Sequence, residues 1–459
     1  MAGRRCLVAV TKTSQHRVRA KEYQVRRVAI IGAGPSGLFA AGQLANQTQV
    51  EVAIDIFDRL PTPFGLLRYG VAPDHDSVKA VAKTLAAAFD SPRVRFFGLV
   101  EVGKQVQASE LLKCYDAVIY AYGSELDRKL GIPGEAELDG SRSAREFVSW
   151  YSGHPDAIAQ DLSGVRNAVV VGVGNVAVDV TRILLKDPDE LSVTDMPDSV
   201  LAALRDTRVE NVWLVGRRGP EVAAFTSIEL RELLGLSGMD TELIGADLDA
   251  IDTDLLDRKA KANVEAIAKA ISIKLPGAKR HLHLLFNHRP VAITGDGQVE
   301  AVEFESNLDG SRFEVPADLV LRSIGYYGVP LPGVPFSDGR ILNLEGRVLD
   351  DDLSARPGEY VTGWIKRGPS GLIGANKKDS AETVANLVAD LVEAPARQLS
   401  DPDELLTAKG VTWSTLEDWR RIDDAEIDRG GLRGRERTKI EAWHELLDLV
   451  FAEQGARVS

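Results

Sequence analysis

Short apolar runs, each followed by a glycine-bearing turn and then by apolar positions at helical spacing, recur along this chain and predict strand, turn, helix units. The first begins with VAII at 28–31, passes through GAGPSG and continues as an Ala-rich run from Leu38 to Ala45. Its second strand, EVAIDIFD, ends in Asp58. In the loop LPTPFGLLRYGVAPDH that follows, Pro61, Pro63 and Pro73 interrupt any helix. Val78, Val81, Leu85 and Phe89 then predict a helix packed on the sheet, and RFFGLVEV and DAVIYAYG predict strands that close the unit. A second start of the same kind is AVVV, GVGNVA, DVTRILL, with VWLVGRR as its partner strand. Between about 280 and 325, HLHLLF, PVAITG, QVEAVEFE and ADLVLRSIG predict short strands belonging to this second unit. YYGVPLPGVPF is a Gly/Pro-rich crossing, EYVTGW one more strand, and GLIGANKKDSAETVANLVADLV a glycine-led helix. The tail from about 395 to 459 is helical by pattern, with Trp413, Trp419 and Trp443 as packing residues.

A lone GxGxxG string is weak, so its setting carries the argument. Gly32, Gly34 and Gly37 follow an apolar strand, precede a helix and are trailed 21 residues later by Asp58. Gly32 permits the tight turn, Gly34 lets backbone approach a pyrophosphate, and Gly37 allows close helix–sheet packing, while the acid accepts hydrogen bonds from a ribose diol. The helix start adds free N–H groups and a positive dipole end. In the second turn, Gly172, Val173, Gly174 and Asn175 lead to Ala177, an accepted variant of the third glycine. Its partner strand ends in Arg217 and Arg218 instead of an acid, which favours a ribose 2′-phosphate and hence NADP(H) over NAD, unless the two arginines are an exposed turn and no more. The fold class expected is α/β with two Rossmann-like dinucleotide-binding domains, the NADP domain (127–328) inserted into a discontinuous FAD domain (26–126 and 329–459). A basic extension, 1–25, precedes them. Two dinucleotide sites in one chain imply electron relay from NADPH to a non-covalent FAD.

Charge and cysteine count narrow the rest. The 459 residues carry 44% hydrophobic and 27% charged positions, and no stretch approaches ~18 consecutive apolar residues. The net charge of −13 argues against a general nucleic-acid binder. Residues 1–27 hold eight basic residues and one acid, net +7, so the remainder carries −20. That segment reads either as a tail without an address or as a mitochondrial transit peptide, placing the protein in the cytoplasm or in the matrix. Only Cys6 and Cys114 are present, which excludes a CxxC redox pair, a four-cysteine iron–sulfur cluster and a cysteine zinc site. No metal site is expected. Electrons on a reduced flavin must therefore leave for an external carrier, a small molecule or dioxygen.

The strings LPTPFGLLRYGVAPDH, VVGVGNVAVDVTRILL, VGRRGPEVAAFTSIELREL, LRSIGYYGVPLPGVPF and GWIKRGPSGLIGANKKDS closely resemble the adrenodoxin reductase family, including the ferredoxin–NADP reductases of that type, from about Val25 to about 395. The resemblance implies transfer of electrons from NADPH through FAD to two one-electron, ferredoxin-type iron–sulfur proteins. It also implies Ser36, Asp58, Leu66, Val102 and Trp364 around FAD, with Gly371, Leu372 and Ile373 presenting backbone to the flavin. NADP would meet Gly172 to Asn175, Arg217, Arg218, Glu229 and Gly371. Near the nicotinamide a histidine–glutamate pair matches His75 and Glu232, and Asp179 matches an acid on the NADP helix. Asp58 departs from the glutamate of the relatives. On residue pattern alone His75 also reads as a turn cap, Glu229 and Glu232 as solvated charges, and Trp364 as core. An acidic ferredoxin would dock on a local positive patch for which Arg231, Lys259, Lys261, Lys366 and Arg367 are candidates, with the two lysines 259 and 261 equally readable as solvated surface. Rival readings are an NADPH oxidase or quinone reductase, and a non-catalytic flavin/NADP sensor.

Overall fold

The computed structural model describes residues 25–371 and 373–452, so most of the basic N-terminal segment, and Leu372, lie outside the described residues. Its first sheet has seven strands in the order 343–344, 347–349, 355–361, 117–120, 26–31, 52–57 and 94–97. Strand Arg26–Ile31 lies between Val52–Phe57 and Ala117–Tyr120, parallel to both, with Ile31 opposite Phe57 on one side and Tyr120 on the other. These strands read as nearly continuous apolar runs because helices cover both faces, and Val28, Ile30, Ile54 and Ile119 are fully buried. A second sheet of six parallel strands runs 141–143, 319–322, 167–171, 211–215, 280–285 and 239–244. In each sheet the glycine turn leaves the strand from which the chain order diverges to left and right, the place where open α/β sheets bind ligands.

Strands from before 121 and after 342 share the first sheet, and the second is built from chain between them. The two crossings run side by side, Tyr326 pairing with Asp127 and Tyr327 with Leu126 in a short antiparallel ribbon. The strands expected between 280 and 325 divide: Arg280–Leu285 and Leu319–Arg322 join the six-stranded sheet, while His288–Thr294, Ala301–Ser306 and Arg312–Pro316 form a separate antiparallel sheet. Two local expectations need correction. The helix marked by Val78 to Phe89 is broken into Asp76–Lys79, Val81–Ala86 and a 3-10 turn at Ala87–Asp90. Of RFFGLVEV only the first three residues are strand, as the end of Val94–Phe97, because the chain turns at Leu99, whose φ is +64°.

Polar contacts tie the two sheets' surroundings together. The loop after Asp58 sends Arg59 to Asp156 at 2.6 Å, Asp74 to Arg182, and Lys79 to Asp195 at 2.5 Å. From the tail, Trp443 Nε1 donates to Asp156 at 2.7 Å and Lys439 pairs with Asp195 at 3.3 Å.

Candidate active site

Both glycine turns open on one continuous cleft of about 1440 Å³, larger than the ~300–1,000 Å³ of a single small-ligand pocket. On the first side, helix Pro35–Asn46 starts from Gly34 with proline at its first position, and on the second, helix Asn175–Leu185 starts from Gly174. A glycine offers no side-chain cap, so both helix starts keep N–H groups for an anion in the cleft. Gly32 has φ +108° and Gly172 φ +135°, a region that favours glycine, and a Cβ on Gly37 would stand 2.0 Å from the Gly32 carbonyl oxygen. Gly37 therefore packs beneath the turn and does not line the cleft.

Gly32, Gly34, Ser36, Asp58, Leu66, Val102, Trp364, Gly371 and Ile373 line one half of the cleft. Asp58 is clamped by backbone: Oδ2 accepts from Ala33 N at 2.8 Å and Oδ1 from Leu60 N at 3.0 Å. Burial nevertheless raises its pKa, against the lowering effect of those two bonds. Trp364 stacks on Tyr326 with centroids 6.3 Å apart, and its indole N–H is buried without a partner among the described residues. An orphaned donor in a cleft, beside a turn that a Cβ would block, fits an acceptor-rich dinucleotide there.

Gly172, Val173, Gly174, Asn175, Arg217, Arg218, Asp179, Glu229 and His75 line the other half. Asn175 Oδ1 accepts from Thr226 N at 2.8 Å, tying the turn to helix Ser227–Leu234 and so placing Glu229. Arg217 and Arg218 are exposed, and neither guanidinium has a partner among the described residues. Their backbone is held instead, Arg217 O by Asn307 Nδ2 at 2.6 Å and Arg218 O by Asn287 N at 3.2 Å. Two pinned, unpaired cations at the end of the partner strand suit a 2′-phosphate.

His75 stands between the halves. Its Nε2 is 2.8 Å from Asp179 Oδ1 and 2.9 Å from Glu229 Oε2, and Nδ1 is 3.4 Å from Glu232 Oε2. The expected His75–Glu232 pair is thus the longest of three contacts. Glu229, expected at NADP, reaches the same ring, and Glu232 stays outside the cleft lining. Burial opposes a charge on His75, but the hydrogen-bonded Asp179 and the adjacent Glu229 carboxylate outweigh it and lift its pKa to about 10. Arg182 Nη2 approaches the same nitrogen at 2.7 Å and competes for it, since two donors cannot both point at each other. Three carboxylates against one guanidinium decide for the charged ring. Ligand atoms of His75, Asp179 and Glu229 lie within 4.8 Å of one another, but Arg182, bonded to Asp179 at 3.0 Å and to Asp74, already supplies the cation. Sequence reasoning missed Asp74, Arg182 and Tyr326; the one available signal was the spacing of Asp179 and Arg182 on one helix face.

The docking candidates separate sharply. Lys366 is a correction: it is 9% exposed and paired with Asp379 at 2.9 Å and Glu382 at 2.6 Å, because a buried ammonium needs carboxylate partners. Arg367 folds onto Ser370 O and Asn376, Lys261 pairs with Asp254, and Lys259 Nζ donates to Ala223 O. Arg231 is exposed and has no partner among the described residues.

Two dinucleotide turns facing one cleft define a two-nucleotide oxidoreductase of the pyridine-nucleotide type, and residues 26–213 match the family described as pyridine nucleotide-disulphide oxidoreductase. The chain is 43% identical to the NADPH-ferredoxin reductase FprA of Mycobacterium tuberculosis, covering 92% of this chain and 98% of that one. It is 38% identical to the mitochondrial NADPH:adrenodoxin oxidoreductase of Drosophila melanogaster, covering 95% and 96%. A solved structure of M. tuberculosis FprA in complex with NADPH superposes with a TM-score of 0.87 at 42% identity, over 93% of this chain and all of that one. The chain belongs to the adrenodoxin-reductase-type NADPH–ferredoxin reductases.

Proposed function

We infer that this protein is an FAD-dependent NADPH–ferredoxin reductase, passing electrons from NADPH to a ferredoxin-type iron–sulfur protein. The observation that carries the reading is the single cleft into which both glycine turns open, one half edged by the clamped Asp58 and the other by the unpaired Arg217 and Arg218. In this reading Gly32, Gly34, Ser36, Asp58, Leu66, Val102, Trp364, Gly371 and Ile373 hold FAD, and Gly37 seats the helix behind it. Gly172, Val173, Gly174, Asn175, Arg217 and Arg218 hold NADP(H). Bound FAD supplies the conversion of a two-electron donor to one-electron output.

The protein's own groups bind, orient and exclude water. Asp58 accepts from a ribose hydroxyl with lone pairs left free by Ala33 and Leu60. Trp364 donates its orphaned N–H to an acceptor in the cleft and, with Tyr326, forms an apolar wall. His75, held charged by Asp179 and Glu229, places a fixed cation where the two halves meet, while Glu232 sets the ring's orientation from Nδ1. Nothing among the described residues provides an internal acceptor after FAD: the only described cysteine, Cys114, is buried and unpaired. Electrons therefore leave the described residues, and in this reading a ferredoxin-type partner takes them. We place its docking on the face carrying Arg231, and steering there predicts that ferredoxin-mediated cytochrome c reduction falls steeply with salt while direct ferricyanide reduction does not. Among the described residues no helix is long and apolar enough to cross a membrane.

The test is anaerobic mixing of the purified protein first with NADPH and then with ferredoxin. Rapid bleaching of the flavin absorbance by NADPH and its rapid return on adding oxidised ferredoxin are expected. Fast oxidation by a quinone or dioxygen with no response to ferredoxin would favour an oxidase or quinone reductase, and flavin left oxidised by NADPH would favour a sensor.

A further inference from the structure

Two apolar residues with a positive φ flank the first half of the cleft. Phe64 has φ +83° and Leu99 has φ +64°, a region where bulky side chains are outliers. Such conformations persist only where surrounding structure over-determines them. Both residues pack against the same small cluster formed by the tail: Trp419, Ile422, Ile440, Leu446 and Val450. Phe64 meets Trp419 edge-on, with centroids 5.9 Å apart, and Trp419 is 6% exposed. Gly98, just before Leu99, exchanges two backbone hydrogen bonds with Ser414 at 2.9 Å each.

Each strained residue leads directly into cleft wall. After Phe64 comes Gly65, with φ +50°, where a Cβ would stand 3.0 Å from the Cα of Gly34. Phe64 N also donates to Ala33 O at 2.8 Å, so this loop closes onto the first glycine turn. After Leu99 come Val100 and Val102, both buried and both lining the cleft. The tail grips the Phe64 loop a second time: Arg68 pairs with Glu426 and lies over the Trp419 ring at 5.0 Å, and Lys439 donates to Arg68 O at 2.6 Å.

We propose that the C-terminal segment from Ser414 to Phe451 is the brace that holds the flavin cradle in its binding conformation, and that Trp419 is its positioning residue. Trp419 does not line the cleft. It acts through Phe64, whose strained backbone brings Gly65 against Gly34, and through the shared packing with Leu99, which presents Val100 and Val102. The proposal rests on the assignment of FAD to this half of the cleft.

The test measures FAD affinity of the apoprotein by quenching of flavin fluorescence, with NADP+ binding followed in parallel by calorimetry. Trp419→Ala is expected to weaken FAD by at least ~10-fold and to leave NADP+ affinity within about twofold, with Trp419→Phe recovering most of the loss. A purely structural tryptophan would weaken both nucleotides together or neither. Phe64→Gly supplies a second route, because glycine adopts this φ without strain. With Phe64→Gly in place, Trp419→Ala should cost markedly less FAD affinity than in the wild type. Wild-type FAD affinity in Trp419→Ala, or equal losses with and without Phe64→Gly, would overturn the brace. If the wild-type apoprotein fails to bind FAD, it is the assignment of the cofactor that falls, a result distinct from failure of the brace. If Trp419→Ala does not fold, Trp419→Leu takes its place in the same comparison, and wild-type FAD affinity in that variant overturns the proposal.

Discussion

The two glycine turns start from the same local chemistry and end in different surroundings. The first is enclosed: Gly37 packs against Gly32, Gly65 closes on Gly34, and Asp58 is bonded to Ala33 and Leu60 within the turn itself. The second is as tight at its start, where a Cβ on Gly172 would stand 2.1 Å from Ser323 O, but open beyond it: a Cβ on Gly174 would meet nothing within 4 Å, the third position is already Ala177, and Arg217 and Arg218 reach out from the surface. Enclosure slows release and exposure permits exchange. That contrast fits a resident cofactor in the first half and a substrate that enters and leaves each turnover in the second.

Removing the arginines should have the largest effect and should touch one turn only. Each hydrogen bond to a charged group contributes ~1.5–3 kcal/mol, so Arg217→Ala with Arg218→Ala should reduce the NADPH/NADH preference in kcat/KM by roughly two to four powers of ten. FAD content should be unchanged. A specificity ratio equal to that of the wild type would remove the 2′-phosphate assignment. Next in size is Gly37→Ala. Its new methyl would overlap the Gly32 carbonyl, a backbone atom that can move only with its strand. A loss of about 3 kcal/mol in urea-unfolding free energy is expected, with FAD lost from the folded fraction.

His75 tests the seam between the halves through pH. Its folded pKa of about 10 lies above its ordinary value of 6.5, so the stabilisation is fully present below pH ~6.5 and is lost as pH rises through about 10. Lys439 works in the opposite direction, since burial pushes its pKa down to about 7 despite Asp195. The difference between wild type and His75→Gln therefore isolates the histidine. Unfolding free energies should differ by roughly 1–3 kcal/mol at pH 6 and converge near pH 10, and a gap independent of pH would show that His75 is not charged in the folded protein. Stopped-flow flavin reduction by NADPH should also slow in this variant.

Strand and turn positions were the most legible features because they follow from local pattern: VAII and AVVV become central strands, and the acid and arginines ending their partner strands reach the same cleft. What local pattern does not encode is which side chains from distant segments meet. His75 and Glu232 were paired in expectation, whereas Asp179 and Glu229 sit closer, since helices Asn175–Leu185 and Ser227–Leu234 both present acids to one ring. Lys366 looked like a surface cation in the string WIKRG, but it pairs with Asp379 and Glu382 on a helix beginning at Ile373. The break between Lys79 and Val81 was hidden for a similar reason: Lys79 is drawn to Pro73 O and Asp195, contacts absent from helical periodicity.

The smallest expected effect is at Ala177, the counterpart of Gly37. If the second turn needs no intimate contact beneath it, Ala177→Gly should leave NADPH affinity nearly intact. Stability should fall by about 1–2 kcal/mol, from lower helix propensity and one lost buried methyl, because Ala177 is fully buried in the third position of helix Asn175–Leu185. Urea unfolding and an NADP+ titration on the same preparation separate the two quantities. A large loss of NADP+ affinity with this modest loss of stability would mean that the methyl itself seats the second turn. The two turns would then differ in which atom supports them rather than in how tightly they are supported.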